Sequence, residues 1–171
     1  MARFQHFPTL SIIIPTLNEE AHLPLLLSDL NSWPDNLDII IVDGGSRDST
    51  ISIAQIHDVN TTQSLKQNRG FQLKIGASIA KGDWLLFLHA DSRLDKNWVK
   101  SLFKIINDKA SENFAWYFDF KIKNSKLEFR ILEIAVSIRS NLLQRPYGDQ
   151  GLLIHKNLYY LLGGFSSLRI M

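Results

Sequence analysis

The stretch "LDIIIVD", residues 37–43, constrains the fold more than any other part of this 171-residue chain. Between its two aspartates stand four consecutive β-branched apolar residues, with no alternation of polar and apolar positions. A strand with one face in water alternates, whereas a strand covered on both faces is apolar throughout. The run therefore predicts a buried strand in a mainly parallel sheet.

Strand-like and helix-like segments alternate on either side of this run. "LSIII" and "WLLFL" are further apolar runs, and a weaker strand is expected near residues 59–65. The first strand is expected to stop at Pro15, because proline has no N–H to donate to a central ladder. Asn18 is the expected N-cap of the first helix, and Ser46 or Asp48 that of the second. Helical spacing of apolar residues predicts helices in "NEEAHLPLLLSDLNSW", residues 50–57, residues 69–80 and "DKNWVKSLFKIIND".

The second half of the chain has a different character. "FAWYFDFKIK" alternates and predicts an antiparallel strand with one exposed face. A long amphipathic helix over residues 126–144, the strand "GLLIH" and a short helix closed by Gly163 and Gly164 follow. We predict one α/β domain over residues 1–171, with a mainly parallel sheet flanked by helices and a small antiparallel part.

Composition excludes several kinds of site and partner. The chain has no cysteine, so disulfides, thiolate zinc sites and cysteine nucleophiles are ruled out. The net charge of +2 gives no electrostatic case for nucleic acid. No apolar stretch reaches the roughly 18–20 residues of a membrane span. We expect a cytoplasmic protein. Peripheral contact with the inner face of the membrane is the alternative, through the 126–144 helix and the arginines Arg130, Arg139 and Arg145.

Polar residues follow three of the apolar runs, where a parallel α/β sheet binds its ligands. The three groups are Thr16, Asn18 and Glu19, then Asp43, Gly44, Gly45 and Ser46, then His89, Asp91 and Ser92. If the strands are parallel neighbours, three carboxylates and a histidine converge, which is costly unless a cation or ligand donors offset the charge. Each group also has a structural interpretation: Asp43 can shape a turn, and His89 can be a packed histidine. Neither GxGxxG nor GxxxxGK[ST] is present, which argues against NAD and P-loop chemistry.

Four motifs in a fixed order carry a family resemblance: "SIIIPTLNEE", "IIIVDGGSRDST", "GDWLLFLHADS" and "PYGDQGLLI" followed by "LGGF". Together they resemble the family 2 glycosyltransferases of GT-A fold, and within them the bacterial radical-SAM/selenodomain-associated subgroup. The resemblance runs from about Leu10 to the last residue. It implies a UDP- or GDP-linked sugar donor, an unknown acceptor hydroxyl and transfer with inversion.

The resemblance also implies roles for individual residues. Asp43 would hydrogen-bond the base, with Ser46 nearby, while Arg69 and Gln72 match the R-x-x-Q of the helix that covers the nucleotide. Asp91 matches the last aspartate of the metal-binding D-x-D motif. The full set of implied donor-binding residues is Pro15, Thr16, Asn18, Glu19, Asp43, Gly44, Ser46, Arg69, Gln72, Ala90 and Asp91.

A divalent ion offsets the charge that develops on a nucleotide diphosphate leaving group. Mg²⁺ or Mn²⁺ prefers oxygen ligands, which Asp91 supplies. His89 stands where the motif has its first aspartate, and either favours Mn²⁺ as a ligand or lies behind the ligands. We expect Ala90 to act as a spacer that keeps His89 and Asp91 on one side of an extended chain.

The sequence departs from the family pattern at the general base that inverting transfer needs. The acidic pair usual after "GGF" is absent, because the sequence given ends at "GGFSSLRIM". Asp149 in "PYGDQ" is then the candidate general base of a short enzyme. A second departure from the pattern is Lys74, which stands where the subgroup usually has asparagine. The favoured alternative is a fragment that binds donor, transfers poorly and self-associates through exposed apolar faces. A regulatory binding module and a nucleotidyltransferase are further alternatives; "PTLNEE" lacks the glycine-rich basic loop of the latter.

Overall fold

A six-stranded sheet organises the part of the chain that the computed structural model describes, which is residues 8–34, 37–118 and 151–165. The strand order is β3-β2-β1-β4-β6-β5. The first four strands pair in parallel, and β5 and β6 add an antiparallel part, as predicted. The strands are β1 Leu10–Thr16, β2 Asp38–Asp43, β3 Asn60–Gln63, β4 Trp84–Phe87, β5 Ala115–Tyr117 and β6 Leu152–His155.

Helices cover both faces of this sheet. One apolar cluster joins α1 and α4 to one face, and a second joins α3 and α5 to the other. The approach of α3 is close enough to require glycine, because a Cβ at Gly76 would lie 2.3 Å from Ile13 Cγ2. The α-helices within the described ranges are α1 Leu23–Leu30, α2 Thr50–Ile56, α3 Arg69–Ile79, α4 Trp98–Ile106 and α5 Lys156–Leu161. Lys109–Asn113 forms a short 3₁₀ turn.

The strand register brings three strand ends to one edge. Thr16 at the end of β1 is opposite Asp43 at the end of β2, and Phe87 at the end of β4 is opposite Ile13. β2 lies between β1 and β3, which confirms the buried parallel strand predicted from "LDIIIVD". We refer below to this common border as the carboxyl edge.

The prediction that β1 stops at Pro15 is wrong, because the strand runs on to Thr16. Ile13 O accepts from Leu88 N, whereas Thr16 O accepts from Gly44 N. The backbone N–H and C=O groups of odd-numbered residues in β1 therefore point toward β4, and those of even-numbered residues point toward β2. Pro15 therefore turns its nitrogen toward β4. Pairing with β4 has already ended at Ile13, so no ladder hydrogen bond is lost there.

The prediction that Asn18 is the N-cap of the first helix is wrong. The N-cap of α1 is His22, four residues later, and Pro24 lies in the first turn. Proline is tolerated there because the first-turn N–H groups have no intrahelical partner. Asn18 instead adopts a left-handed conformation, with a φ of 56°. The N-cap of α2 is Ser49, so the prediction of Ser46 or Asp48 is also wrong, although Asp48 does accept from Thr50 N. Ser46 has other partners.

The described part of the second half agrees with the sequence pattern. β5 and β6 pair antiparallel, and α5 is followed by Gly163 and Gly164, both at positive φ. The predicted 126–144 helix, its arginines and Asp149 lie outside the described residues. None of the helices within the described ranges has the length and hydropathy needed to cross a bilayer.

Candidate functional site at the carboxyl edge

Two loops at the carboxyl edge are fastened together by what we call the cross-loop clamp. One is the β1–α1 loop, and the other joins β2 to the start of α2. Both backbone and side-chain groups take part, so each loop fixes the conformation of the other. The five hydrogen bonds, with the donor first, are Asn18 N to Ser46 Oγ, Arg47 N to Asn18 Oδ1, Glu19 N to Thr50 Oγ1, Glu20 N to Asp48 Oδ2 and Ser49 N to Glu20 Oε2.

Asn18 is in the left-handed region for a reason that the clamp makes clear. In that conformation its N–H reaches Ser46 at 2.8 Å while its side-chain oxygen accepts from Arg47 N, also at 2.8 Å. Asparagine adopts this conformation more readily than most residues. Asn18, which was predicted to bind the sugar donor, therefore also links the two loops through hydrogen bonds.

Asp43 is buried beneath the clamp, with 2% of its surface exposed. Its Oδ2 accepts from Gly45 N and Ser46 N at 2.8 Å each, and its Oδ1 accepts from the hydroxyls of Thr16 and Ser46. A carboxylate has about four acceptor sites, and here all of them are used within the protein. The structural interpretation of Asp43, that it shapes the turn, thus has direct support, and its contact with a base stays a prediction.

Gln72 lies under the same loop. Its side-chain nitrogen donates to Val42 O at 2.7 Å and to Thr16 O at 3.0 Å, so it joins the ends of β2 and β1. A Cβ on Gly44 would lie 3.2 Å from that nitrogen and 3.3 Å from Thr16 O, so a side chain would fit only tightly at this position. Gln72 is 5% exposed, whereas Arg69, one turn earlier at the start of α3, is half-buried. Both come from the helix that the motif had singled out.

The third strand end is more open. His89 Nδ1 and Asp91 Oδ1 are 3.9 Å apart, and their side chains are 18% and 63% exposed. Ser92 N donates to His89 O, so these residues form a turn. The expectation of an extended chain with Ala90 as spacer is therefore wrong. Ala90 is 2% exposed and packs into the apolar cluster on the α1 face, and the turn around it still places His89 and Asp91 together.

An ion pair holds this turn against α1. Arg93 Nε and Nη2 donate to Asp29 at 2.7 and 2.9 Å, and Leu94 N donates to the same carboxylate at 3.0 Å. The hydrogen bonds that Arg93 donates to Asp29 raise the pKa of Arg93 further above its usual range, although desolvation opposes the shift. Asp29 and Arg93 are 64 residues apart, and no local pattern links them.

Asp48 is a clamp residue whose pKa the two loops lower. Desolvation raises the pKa of its carboxyl, but the Thr50 hydroxyl and the N–H groups of Glu20 and Thr50 together lower it by more. The clamp therefore favours the ionised form of Asp48.

The residues at the end of β4 offer one oxygen and one nitrogen donor that a divalent ion can use. Neighbouring ligands of an octahedral ion with bonds of roughly 2.1 Å are about 3.0 Å apart. His89 Nδ1 and Asp91 Oδ1 lie 3.9 Å apart, within about 1 Å of that spacing. Within the described ranges, no three His, Cys, Asp or Glu side chains group closely enough to hold a metal by themselves. Such a site suits an ion bound partly by substrate phosphates.

The sequence matches the family model of glycosyl transferase family 2 over residues 11–168. The chain belongs to this family. A glycosyltransferase of PGL/p-HBAD biosynthesis from Mycobacterium tuberculosis is 39% identical over 94 residues, which is 51% of this chain and 37% of that protein. An uncharacterized glycosyltransferase from Haemophilus influenzae is 30% identical over 112 residues, 63% of this chain and 38% of that protein. The aligned part thus spans less than two fifths of either relative.

Solved structures confirm the GT-A fold of this family 2 chain. S. aureus TarS residues 1–349 superpose with a TM-score of 0.71 at 18% identity, covering 92% of this chain and 50% of that one. A mannosyltransferase from Pyrobaculum calidifontis, solved with GDP-Man and Mn²⁺, gives a TM-score of 0.70 at 18% identity, covering 95% and 49%. The radical-SAM-associated subgroup stays a prediction.

Proposed function

We propose that this chain carries the donor site of an inverting glycosyltransferase. The reaction transfers a sugar from a UDP- or GDP-linked donor to an acceptor hydroxyl. The observation that supports this most is the meeting of three strand ends at the carboxyl edge, each with the polar residues that the family motifs supply. Pyrobaculum calidifontis mannosyltransferase was solved with GDP-Man, and S. aureus TarS with UDP-GlcNAc.

The nucleoside lies, in this proposal, on the surface of the cross-loop clamp. The residues proposed to line it are Pro15, Thr16, Asn18, Glu19, Asp43, Gly44, Ser46, Arg69 and Gln72. Asp43 and Gln72 are buried and hydrogen-bonded within the protein, so we assign them mainly to shaping this surface. Asn18, Glu19 and Ser46 lie at the rim, where a nucleoside can reach them.

The donor diphosphate lies beside the end of β4, next to Ala90, with a divalent ion that Asp91 and His89 help to hold. When bound, Mg²⁺ or Mn²⁺ neutralises charge on the departing nucleotide diphosphate. Asp91 is the more exposed of the two side chains and supplies the oxygen ligand. The mannosyltransferase that resembles this chain was solved with Mn²⁺.

A general base must take the proton of the acceptor hydroxyl, and we propose Asp149 for this role on the motif alone. The acceptor is unidentified. Self-association is proposed from the exposed end of α5, where Leu161 and the residue that follows the helix, Leu162, are 82% and 68% exposed.

Nucleotide titration tests this function. The purified chain is titrated calorimetrically with UDP and with GDP, with and without Mn²⁺. We expect one nucleotide to bind, more tightly with the ion, and we expect Asp91→Asn to reduce that gain in affinity by about tenfold or more. Asp58→Asn is the matched control, since Asp58 is an exposed aspartate at the opposite end of the sheet with a φ of 53°, which asparagine tolerates.

Two results would contradict the proposal: failure of both nucleotides to bind, or an equal Mn²⁺ gain in wild type and Asp91→Asn. A donor-hydrolysis assay with UDP- and GDP-sugars then distinguishes an enzyme from a chain that only binds donor. Asp149→Asn should abolish turnover without changing nucleotide affinity if Asp149 is the base.

A further inference from the structure

The short segment that carries His89 and Asp91 is held at both of its ends. At one end Leu88 N donates to Ile13 O at 3.0 Å, which joins it to the centre of the sheet. At the other end Arg93 and Leu94 both donate to Asp29 of α1. The residues between these two attachments, 89–92, form the turn at which the ion is proposed to bind.

The second attachment has a geometry that restricts rotation as well as distance. The Arg93 guanidinium meets the Asp29 carboxylate through two nitrogen atoms, Nε and Nη2, so the two groups are held in a fork rather than at a single point. Leu94 N adds a third hydrogen bond to Oδ2 and fixes the backbone next to Arg93. Lysine cannot reproduce this fork, because its ammonium group is a single point charge.

Asp91 needs such support more than a buried ligand would. Its side chain is 63% exposed, so packing does little to hold it, and its position depends on the turn beneath it. The Asp29 side chain is 16% exposed, so the surrounding protein restricts its position and the attachment point is well defined. Groups that orient metal ligands typically change metal affinity by 10–100-fold when they are removed.

We propose that Asp29 and Arg93 are positioning residues, which hold the 89–92 turn so that Asp91 and His89 meet the divalent ion of the donor complex. This inference rests on the proposed function. Neither residue is assigned to touch substrate or ion. Their contribution is to lower the cost of ordering the turn when the ion binds.

Two variants test the proposal by calorimetry, with UDP and GDP as probes and MnCl₂ as the ion. Arg93→Lys keeps the charge but loses the fork, and Asp29→Asn removes the charged acceptor. We expect each to reduce the Mn²⁺-dependent gain in nucleotide affinity by about tenfold, with nucleotide affinity in EDTA unchanged. Backbone amides of residues 89–94 should also exchange hydrogen faster in the unliganded variants.

A double-mutant cycle separates positioning from a general loss of structure. If Arg93 acts through Asp91, Arg93→Lys should have no further effect on Mn²⁺-dependent affinity in an Asp91→Ala background. Asp83→Asn is the control, because Asp83 anchors Thr9 through two bonds of 2.9 Å near the opposite end of β4. It should leave the Mn²⁺ gain unchanged.

The outcomes are distinct. A wild-type chain without any Mn²⁺ gain overturns the metal site and, with it, the positioning role. A wild-type gain that both variants retain in full overturns the positioning role alone. Effects of Arg93→Lys and Asp91→Ala that simply add also overturn it, since they would mean independent action.

Discussion

Two regions at the carboxyl edge treat their carboxylates in opposite ways. Beneath the cross-loop clamp, Asp43 is 2% exposed and accepts hydrogen bonds at both oxygens. In the 89–92 turn, the Asp91 side chain is 63% exposed and lies 3.9 Å from His89. A buried charge is tolerated only when it is fully hydrogen-bonded, whereas an exposed charge is solvated by water and stays available to bind a ligand.

The difference indicates a division of labour within one site. The clamp makes a surface whose shape is already complete before a ligand arrives. The turn keeps an anionic group accessible and is held at its far end by the attachment of Arg93 and Leu94 to Asp29. A nucleoside binds to a surface of matching shape, whereas a diphosphate with its cation binds to accessible charged groups. Both arrangements therefore suit the proposed donor.

The largest effect is expected at Asp43. Asn in its place cannot accept all four hydrogen bonds, and its NH₂ group would face N–H donors of the glycine loop. We expect Asp43→Asn to lower the free energy of unfolding by about 3 kcal/mol, at the upper end of the range for hydrogen bonds to a charged group. Urea unfolding followed by circular dichroism measures this loss. A change below about 1 kcal/mol would mean that the clamp does not depend on the carboxylate.

Asp43 and Asp91 also mark the limit of what could be predicted from sequence. Each follows an apolar strand closely, and both were predicted to contact the donor complex. Their burial differs because of partners that are distant in sequence, such as Thr16, 27 residues from Asp43. The strands themselves could be predicted, because an uninterrupted run of β-branched apolar residues is typical of a strand that is covered on both faces.

The misplaced details have similar causes. Asparagine is a common N-cap residue, but the hydrogen-bond partners of Asn18 lie 28 and 29 residues away in the second loop. The Asp29–Arg93 fork was missed, since an exposed arginine after a polar turn carries no local signal of its partner. The convergence of the strand ends was expected because consecutive parallel strands place their carboxyl ends at one edge.

A smaller effect, dependent on pH, is expected within the clamp. Hydrogen bonds from Glu20 and Thr50 lower the folded-state pKa of Asp48, with desolvation opposing them. A depressed folded pKa stabilises the fold at pH values above the ordinary pKa of aspartate, and that stabilisation is lost as pH falls through the folded pKa. Wild type should therefore be more stable than Asp48→Asn at neutral pH, and the difference should shrink on acidification.

Unfolding of both chains in urea across a pH series measures this convergence, and a difference that stays constant with pH would contradict it. Asp58→Asn again serves as the control, because Asp58 is exposed and lies outside the clamp. Its difference from wild type should not follow the pH dependence of the Asp48 variant.

The smallest effect on stability is expected at Asp91, where the comparison between the two regions becomes sharpest. With the side chain 63% exposed, Asp91→Asn removes a charge that lies mainly in solvent. We expect the free energy of unfolding to change by no more than about 0.5 kcal/mol without nucleotide. With nucleotide and Mn²⁺ present, wild type should gain stability that the variant lacks, because a ligand stabilises only the state that binds it. Equal thermal shifts in both chains would remove Asp91 from the ion site, while a large loss without ligand would make it a structural residue like Asp43.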